Sequence, residues 1–327
     1  MDSLASLLEG PRAHRAFLLR AVFDPPWCVQ VRDRAPLTVL CAMRDTTWIT
    51  PEDQDQDQYQ DQDQDPGRVQ DPVRIDAGDI AVVRGPAPYR VGSGTDVPVQ
   101  VVVHPGDVTT TPEGEGLCEQ LDLGVRTWGS GPDGAAQLLI GTYHVDGEVS
   151  GRLLRALPQV LVLREADWDC PLLPLVAEEI GKDRPGQSVV LDRLLDLLLI
   201  AVLRAWFARP EARAPAWYRA QADPVVGRAL RLLHEDPAHP WTVAALAARA
   251  GASRAAFARR FATLVGRPPM AYLTDWRLAL AADLLREPAA TLDAVARRVG
   301  YGSGFALSTA FKRERGISPS LHRVSAG

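Results

Sequence analysis

A pattern read at Thr242 is read again about fifty residues later, and few folds can use it twice. Thr242–Ala250 (TVAALAARA) is a short helical run with a hydroxyl at its head, Gly251 stops it, and Ser253 opens a second run, Arg254–Leu264. Thr and Ser are preferred at helix N-caps because their oxygen accepts an orphan backbone N–H. Glycine suits the stop because a tight interhelical turn needs positive φ. Val243, Leu246 and Ala247 share one face of the first run. In the second, Phe257 and Phe261 at i, i+4 face inward, which leaves Arg254, Ala255, Ala258 and Arg259 outward. Helix, three-residue turn, helix is the arrangement that lays its second helix in a major groove.

The second copy runs Thr291–Arg298 (TLDAVARR), then a turn at Gly300 and Gly302, then Ser303 capping Gly304–Arg315. Leu307 and Phe311 are expected inside, with part of Phe305. Between the copies lies Pro269–Glu287, with Tyr272, Leu273, Trp276, Leu280 and Leu284 as an apolar stripe and proline in a favoured first position. Such a helix of about nineteen residues spans ~28 Å. One turn of DNA is ~34 Å, so both outer helices can reach successive grooves on one face.

Charge agrees with this reading. Residues 222–327 hold fifteen Lys/Arg and eight Asp/Glu, a net of +7, which leaves −12 for the rest of a chain whose formal charge is −5. A basic region on an acidic protein is the asymmetry expected of a domain that meets a polyanion. Seven of the negative charges lie in Glu52–Asp65 (EDQDQDQYQDQDQD). That run is too polar to offset its chain entropy and is expected to be a mobile loop over 52–66.

The region Asp24–Leu163 reads as β-structure: short Val, Leu and Ile runs at Leu37–Met43, Val73–Arg84, Val97–His104, Gln137–Val145 and Val160–Leu163, split by Gly, Pro and Asp. Many short strands between dense turns predict a sandwich or barrel. Helical periodicity follows Pro171, over Leu172–Ile180 and Ser188–Phe207, the latter with Asp192–Asp196 and Arg204 on its wet side. Its longest uncharged run, Leu197–Leu203, is seven residues, far short of the about twenty a bilayer needs, so it is a buried or dimer helix. Arg209–Pro215 (RPEARAP) reads as a linker. Met1–Gly10 carries Asp2 and Glu9 and lacks the basic and apolar regions of a signal peptide. Cys28, Cys41, Cys118 and Cys170 include no CxxC, which points to free thiols in a reducing cytoplasm, with Cys28 and Cys41 buried and inert.

Residues 222–325 resemble the paired helix-turn-helix domain of AraC-type transcription regulators. The resemblance is carried by Ala247, Gly251, Ser253, Phe257 and Phe261, then Gly266-Arg267-Pro268-Pro269, Tyr272-Leu273 and Trp276-Arg277-Leu278. In the second half it is carried by Val295-Ala296, Val299-Gly300-Tyr301-Gly302-Ser303, Phe311-Lys312-Arg313, Gly316-Ile317-Ser318-Pro319 and Arg323. It implies groove-facing positions at Arg254, Ala255, Ala258 and Arg259 in the first recognition helix, and at Gly304, Phe305, Ser308 and Thr309 in the second. Thr309 stands where the family often has Arg, and Gly304 and Ala306 offer no donor. Direct readout is therefore expected from Arg259, the natural bidentate reader of guanine, with backbone anchoring from Ser303, Lys312 and Arg313. Arg254, Arg260, Arg297, Arg298 and Arg315 are either solvated surface or phosphate contacts.

The first 207 residues resemble the cupin-type sensor domain of one branch of these regulators, through Trp48, Gly78-Asp79-Ile80-Ala81-Val82-Val83 with Pro86 and Pro88, Gly141-Thr142-Tyr143, and Gly147-Glu148-Val149 to Leu157-Pro158. Thr38 and Tyr89 stand where relatives often have His, and His14, His104 and His144 show no ligand spacing, so neither a metal nor another cofactor is expected. The expected fold class is α+β multidomain: a cupin-like β-barrel over 1–170 followed by a coupling and dimerisation segment over 171–208, a linker over 209–221 and an all-α double helix-turn-helix domain over 222–327. The expected partners are double-stranded DNA, an unidentified small-molecule or redox effector, a second copy of the chain and RNA polymerase, with no membrane. The chain is not expected to be an enzyme. The alternative is a metal-dependent cupin enzyme fused to a DNA-binding module, built on His104 or His144 with Cys41 or Cys118.

Overall fold

The computed structural model describes residues 17–52, 71–143, 147–168, 170–209, 212, 214–287 and 289–325. Residues 53–70, the first ten residues, His14 and His144 lie outside the described residues, and with them the expectations of a mobile acidic loop and of an N-terminus without a leader. The chain divides into two compact units, at 145/146, 156/157 and 212/213, so the segment 146–156 belongs with the C-terminal unit although it sits between two strands of the other in sequence.

The elements up to that segment are β1 (Phe17–Phe23), β2 (Cys28–Val31), β3 (Leu37–Arg44), β4 (Thr47–Pro51), β5 (Val73–Ile75), β6 (Ile80–Arg84), β7 (Tyr89–Gly92), β8 (Val101–His104), β9 (Val108–Thr110), α1 (Cys118–Leu121), β10 (Thr127–Gly129) and β11 (Ala136–Tyr143). Then come α2 (Glu148–Leu154), β12 (Val160–Leu163), α3 (Leu172–Ile180) and α4 (Gln187–Phe207). The strands form two six-stranded sheets, ordered β10-β1-β11-β3-β6-β12 and β5-β4-β7-β2-β8-β9. Pairing is antiparallel except for β1 with β10 and β2 with β8. No hydrogen-bonded ladder joins the two sheets among the described residues, so the expected barrel is an open pair of sheets.

The apolar run Val73–Arg84 is two strands, because the chain turns over Asp76–Asp79 with Gly78 at φ +90°. Asp79 is buried there, and its carboxylate accepts the N–H groups of Asp76 (3.0 Å) and Glu165 (2.9 Å) and a guanidinium N–H of Arg164 (2.7 Å). Buried charge is tolerable when satisfied in this way. In the first sheet, β3 is buried along Leu37–Ala42 and β6 along Ile80–Val83, as in strands covered on both faces. On the outer side, Tyr143 of β11 donates its buried hydroxyl to the Leu195 carbonyl of α4 at 2.6 Å. The free side of α4 is not only wet: Arg193 and Arg204 are exposed there, but so are Val189, Val190 and Leu197, and Leu175 of α3 is 51% exposed.

The C-terminal unit adds α5 (Ala216–Arg219), α6 (Val226–Glu235), α7 (Val243–Ala250), α8 (Arg254–Val265), α9 (Pro269–Leu285), α10 (Leu292–Arg298), α11 (Gly304–Arg315) and α12 (Pro319–Ser325). It has two cores, and α9 feeds both. Tyr272 and Leu273 join Leu246, Phe257 and Phe261 in the first; Leu278, Ala281, Ala282 and Leu285 join Val295, Leu307 and Phe311 in the second. A third contact is made by α2: Val149 packs on Trp276 and Ala279, and Asp283 accepts the N–H groups of Glu148 (2.6 Å) and Val149 (3.1 Å) at the head of α2. Burial holds the Asp283 carboxyl above its ordinary value. With three partners, α9 is buried on several sides instead of along one stripe. Leu280 and Leu284, expected on that stripe, are half-buried, while the small residues Ala279, Ala281 and Ala282 are buried along with Leu278 and Leu285.

Candidate nucleic-acid interface

Both helix pairs are built with the same devices: the turn glycine follows the first cap by nine residues in each, and the second cap follows the first by eleven residues in one and twelve in the other. The hydroxyl of Thr242 accepts the Ala245 N–H (3.1 Å) and that of Ser253 the Ala256 N–H (3.4 Å). Thr291 and Ser303 do the same for Ala294 and Ala306, each at 3.2 Å. Each cap satisfies a donor that the helix itself cannot. Gly251 and Gly300 make the turns at φ +73° and +84°. Gly302, read with Gly300 as turn-forming, takes no positive φ. At Gly300 a side chain is excluded by contact as well: a Cβ would lie 2.7 Å from the Ala238 carbonyl oxygen.

The outer faces of the two second helices are where the sequence residues can be compared. On α8, Arg254, Ala255 and Arg259 are exposed and Ala258 is half-buried, while Phe257 and Phe261 are fully inside. On α11, Phe305 is 83% exposed, Thr309, Lys312 and Arg313 are exposed, and Ser308 is half-buried. Two expectations change. Phe305 does not enter the core at all, because Leu307 and Phe311 fill that side. Gly304, expected to face a groove, is buried: its N–H donates to Asp293 at 2.7 Å, and a Cβ would meet the same carboxylate oxygen at 2.7 Å. Its place is in the angle of the turn.

Hydrogen bonds on α11 also limit what it can offer. The Thr309 hydroxyl donates to the Phe305 carbonyl (3.0 Å), the Ser303 hydroxyl is engaged as cap, and Arg313 pairs with Glu314 (2.8 Å). The arginines left between surface and phosphate separate by their partners. Arg260 binds the Asp223 carboxylate (2.8 Å), which also receives the Val225 and Val226 N–H groups. Arg298 lies 3.6 Å from Glu287, and Arg315 pairs with Glu148 at 2.9 Å. Among the described residues, Arg254, Arg259, Arg297 and Lys312 have no ion-pair partner.

The N-terminal unit holds a cavity of about 420 Å³ between its sheets. Its walls are mostly apolar, and they follow a period of two: Leu19, Ala21 and Phe23 on β1, Val29 and Val31 on β2, Tyr89 and Val91 on β7, Leu138, Ile140 and Thr142 on β11. That alternation is the signal that would have found them in the sequence. Phe23 stacks on Trp27 (4.9 Å between ring centres) and meets Trp128 edge-on (5.1 Å). The polar part includes Thr38 beside Tyr89, whose phenol is pushed up by burial, with Arg126, Cys118 and the carboxylates of Asp33, Asp107 and Asp122. A hydrogen bond with Thr109 (3.1 Å) holds the Cys118 thiol below its ordinary value, and burial raises Cys28. Cys28 and Cys41 are both buried, and Cys118 is exposed. Arg126 donates to Gln187 at the start of α4 at 2.8 Å, and Gln187 donates onward to the Glu179 carbonyl of α3 at 2.6 Å. Thr38 and Tyr89 thus lie on the cavity wall. His104 bonds Thr110 at 3.0 Å, and among the described residues no three His, Cys, Asp or Glu side chains are grouped to hold a metal.

Comparison with known proteins places both halves. The family described as Cupin matches residues 2–208, and the family described as helix-turn-helix domain matches residues 246–324. A putative AraC-like transcription regulator of Streptomyces antibioticus is 36% identical over 262 residues, 74% of this chain and 85% of that one. One of Streptomyces lividans is 33% identical over 263 residues, 78% of this chain and 81% of its own. A solved DNA-binding domain, that of the global transcriptional factor AdpA in complex with a target DNA, is 36% identical, covering 32% of this chain and 93% of that domain, with a TM-score of 0.30. With a cupin domain preceding two capped helix pairs, the chain belongs to the AraC-like transcription regulators.

Proposed function

We propose that this regulator binds its operator as a homodimer in the cytoplasm through the outer faces of α8 and α11, and that it answers to a small, largely apolar molecule in the cavity between its sheets. The observation that carries the DNA reading is the pair of capped, glycine-turned helix pairs fixed on one α9, with Arg254 and Arg259 free on the first and Phe305 and Lys312 exposed on the second. At 17 residues, α9 spans about 26 Å, within reach of the spacing between successive major grooves. Arg259 reads a guanine edge and Phe305 contacts a thymine methyl, while Lys312, Arg313 and Ser303 hold phosphates. The exposed Val190 and Leu197 of α4 and Leu175 of α3 form the surface between the two copies. RNA polymerase is the expected further partner at promoters the protein activates.

A ligand acts only if it binds two arrangements with different affinity. The Arg126–Gln187 bond supplies such a difference, since a ligand that engages Arg126 competes with the head of α4 for it. Footprinting of the purified protein on the region upstream of its own gene, with the parent and Arg259→Ala, tests the DNA reading. The expected outcome is a loss of operator affinity of about tenfold or more and relaxed preference at one base pair, from about 1–3 kcal/mol of lost discrimination. Unchanged affinity and selectivity would refute the assignment of Arg259.

A further inference from the structure

The C-terminal unit contains a second cavity, of about 440 Å³, away from the outer faces of α8 and α11 named above. It is an open cleft bordered by α2, α5, the end of α8, the start of α9 and the end of α11. Four guanidinium groups line it, those of Arg152, Arg155, Arg267 and Arg315, against two carboxylates, Glu148 and Asp275. Both carboxylates are already in use. Asp275 pairs with Arg152 (3.0 Å) and Arg267 (2.8 Å), and Glu148 pairs with Arg315 (2.9 Å). Arg155 has no ion-pair partner among the described residues. The lining therefore carries two positive charges more than it can neutralise.

Two of these guanidinium groups, those of Arg152 and Arg315, are also held by ring and carbonyl contacts. Arg152 lies over the Trp276 ring at 5.7 Å and donates to the Asp275 carbonyl at 2.8 Å, and Arg315 lies over Phe311 at 5.8 Å. Only about a fifth of the side chains of Arg152 (19%) and Arg315 (22%) is exposed. Burial, together with the like charges of Arg315 and Arg155, holds the Arg152 guanidinium below its ordinary value. The two buried guanidinium groups are paired, and the surplus charge stands on Arg155, which is exposed, and on Arg267, whose side chain is 50% exposed, where an anion arriving from water can reach it. Trp217 and the ring of Tyr272 complete the wall, and the volume is that of a small-molecule site.

We infer that this cavity binds a compact phosphate-bearing anion carrying at least two negative charges, which neutralises the surplus guanidinium groups and fastens α2 to α5, α9 and α11. Forked N–H donors around a doubly charged oxyanion are the usual means of recognising phosphate. The site stands apart from the operator and effector readings, and neither is needed for it.

Calorimetric titration of the full chain with inorganic pyrophosphate, at constant ionic strength, with and without saturating duplex DNA, tests the inference. Saturable binding of one pyrophosphate per chain is expected, unaffected by DNA. Arg155→Ala, at an exposed position where folding is not at stake, should weaken it by about tenfold or more. Arg155→Lys should recover part of the loss. Absence of saturable heat, or equal binding by Arg155→Ala, overturns the site. Displacement of pyrophosphate by DNA, with Arg155→Ala weakening DNA affinity to the same degree, also overturns it, because the cavity would then be a contact for the DNA backbone.

Discussion

Gly304 shows how closely the second helix pair is closed. Its amide is fixed to the Asp293 carboxylate, and the space beside it is taken by that oxygen and by Leu292, whose Cγ lies 3.1 Å from where a Cβ would stand. Replacing it with valine drives a branched side chain into both. Gly304→Val is expected to lower unfolding free energy by about 1–3 kcal/mol, as overpacked sites do. Urea denaturation measures this, and a variant as stable as the parent would show that the turn can open without cost. One residue along the same helix the situation reverses: Phe305 is an aromatic ring left almost wholly in water, which a globular core does not explain.

At the scale of elements, the free face of α4 is the clearest unpartnered surface of the N-terminal unit. Val190 and Leu197 lie seven residues apart, so they fall on one side of the helix, with Leu175 exposed on α3. Leu197→Arg places a charge at the centre of the proposed contact between copies. Sedimentation equilibrium should then show monomers at concentrations where the parent is dimeric; an unchanged mass would move the contact elsewhere. Local patterns made much of the fold legible. The four caps, the turns at Gly251 and Gly300 and α3 fall where the residues placed them, because caps and turns depend on neighbours in sequence. The period of two on β1, β2, β7 and β11 held the cavity too, but only the pairing of distant strands turns it into a wall. Least legible was α2. Its residues read as the closing segment of the sensor, and nothing near them in sequence announces Asp283, 135 positions away. The candidate DNA face was legible in its exposed arginines. Gly304, expected on that face, is turned inward, and no part of Phe305 enters the core, because the packing of α10 against α11 decides which way each residue points.

Over the whole molecule, the +7 of residues 222–327 sits on a chain of net charge −5, so attraction to a polyanion comes from one unit alone. Operator affinity should therefore fall steeply with salt, and Lys312→Ala should reduce the slope of log K against log salt by about 0.9 if its ammonium neutralises one phosphate. Fluorescence anisotropy across a salt series reads this directly, and an unaltered slope would remove Lys312 from the backbone contacts. The chain's path has a different outcome. Because α2 leaves the strand order after β11, clasps α9 through Asp283 and returns for β12, neither unit is one continuous stretch of chain. The range 209–221, expected to be a linker, holds α5 and the buried Ala220, and a cut at Arg209–Pro215 would not free a finished domain. It would strip a stitch from the carboxyl half, baring Trp276 and Ala279 where Val149 had covered them, and a gene-shuffling event at that linker would inherit the same wound.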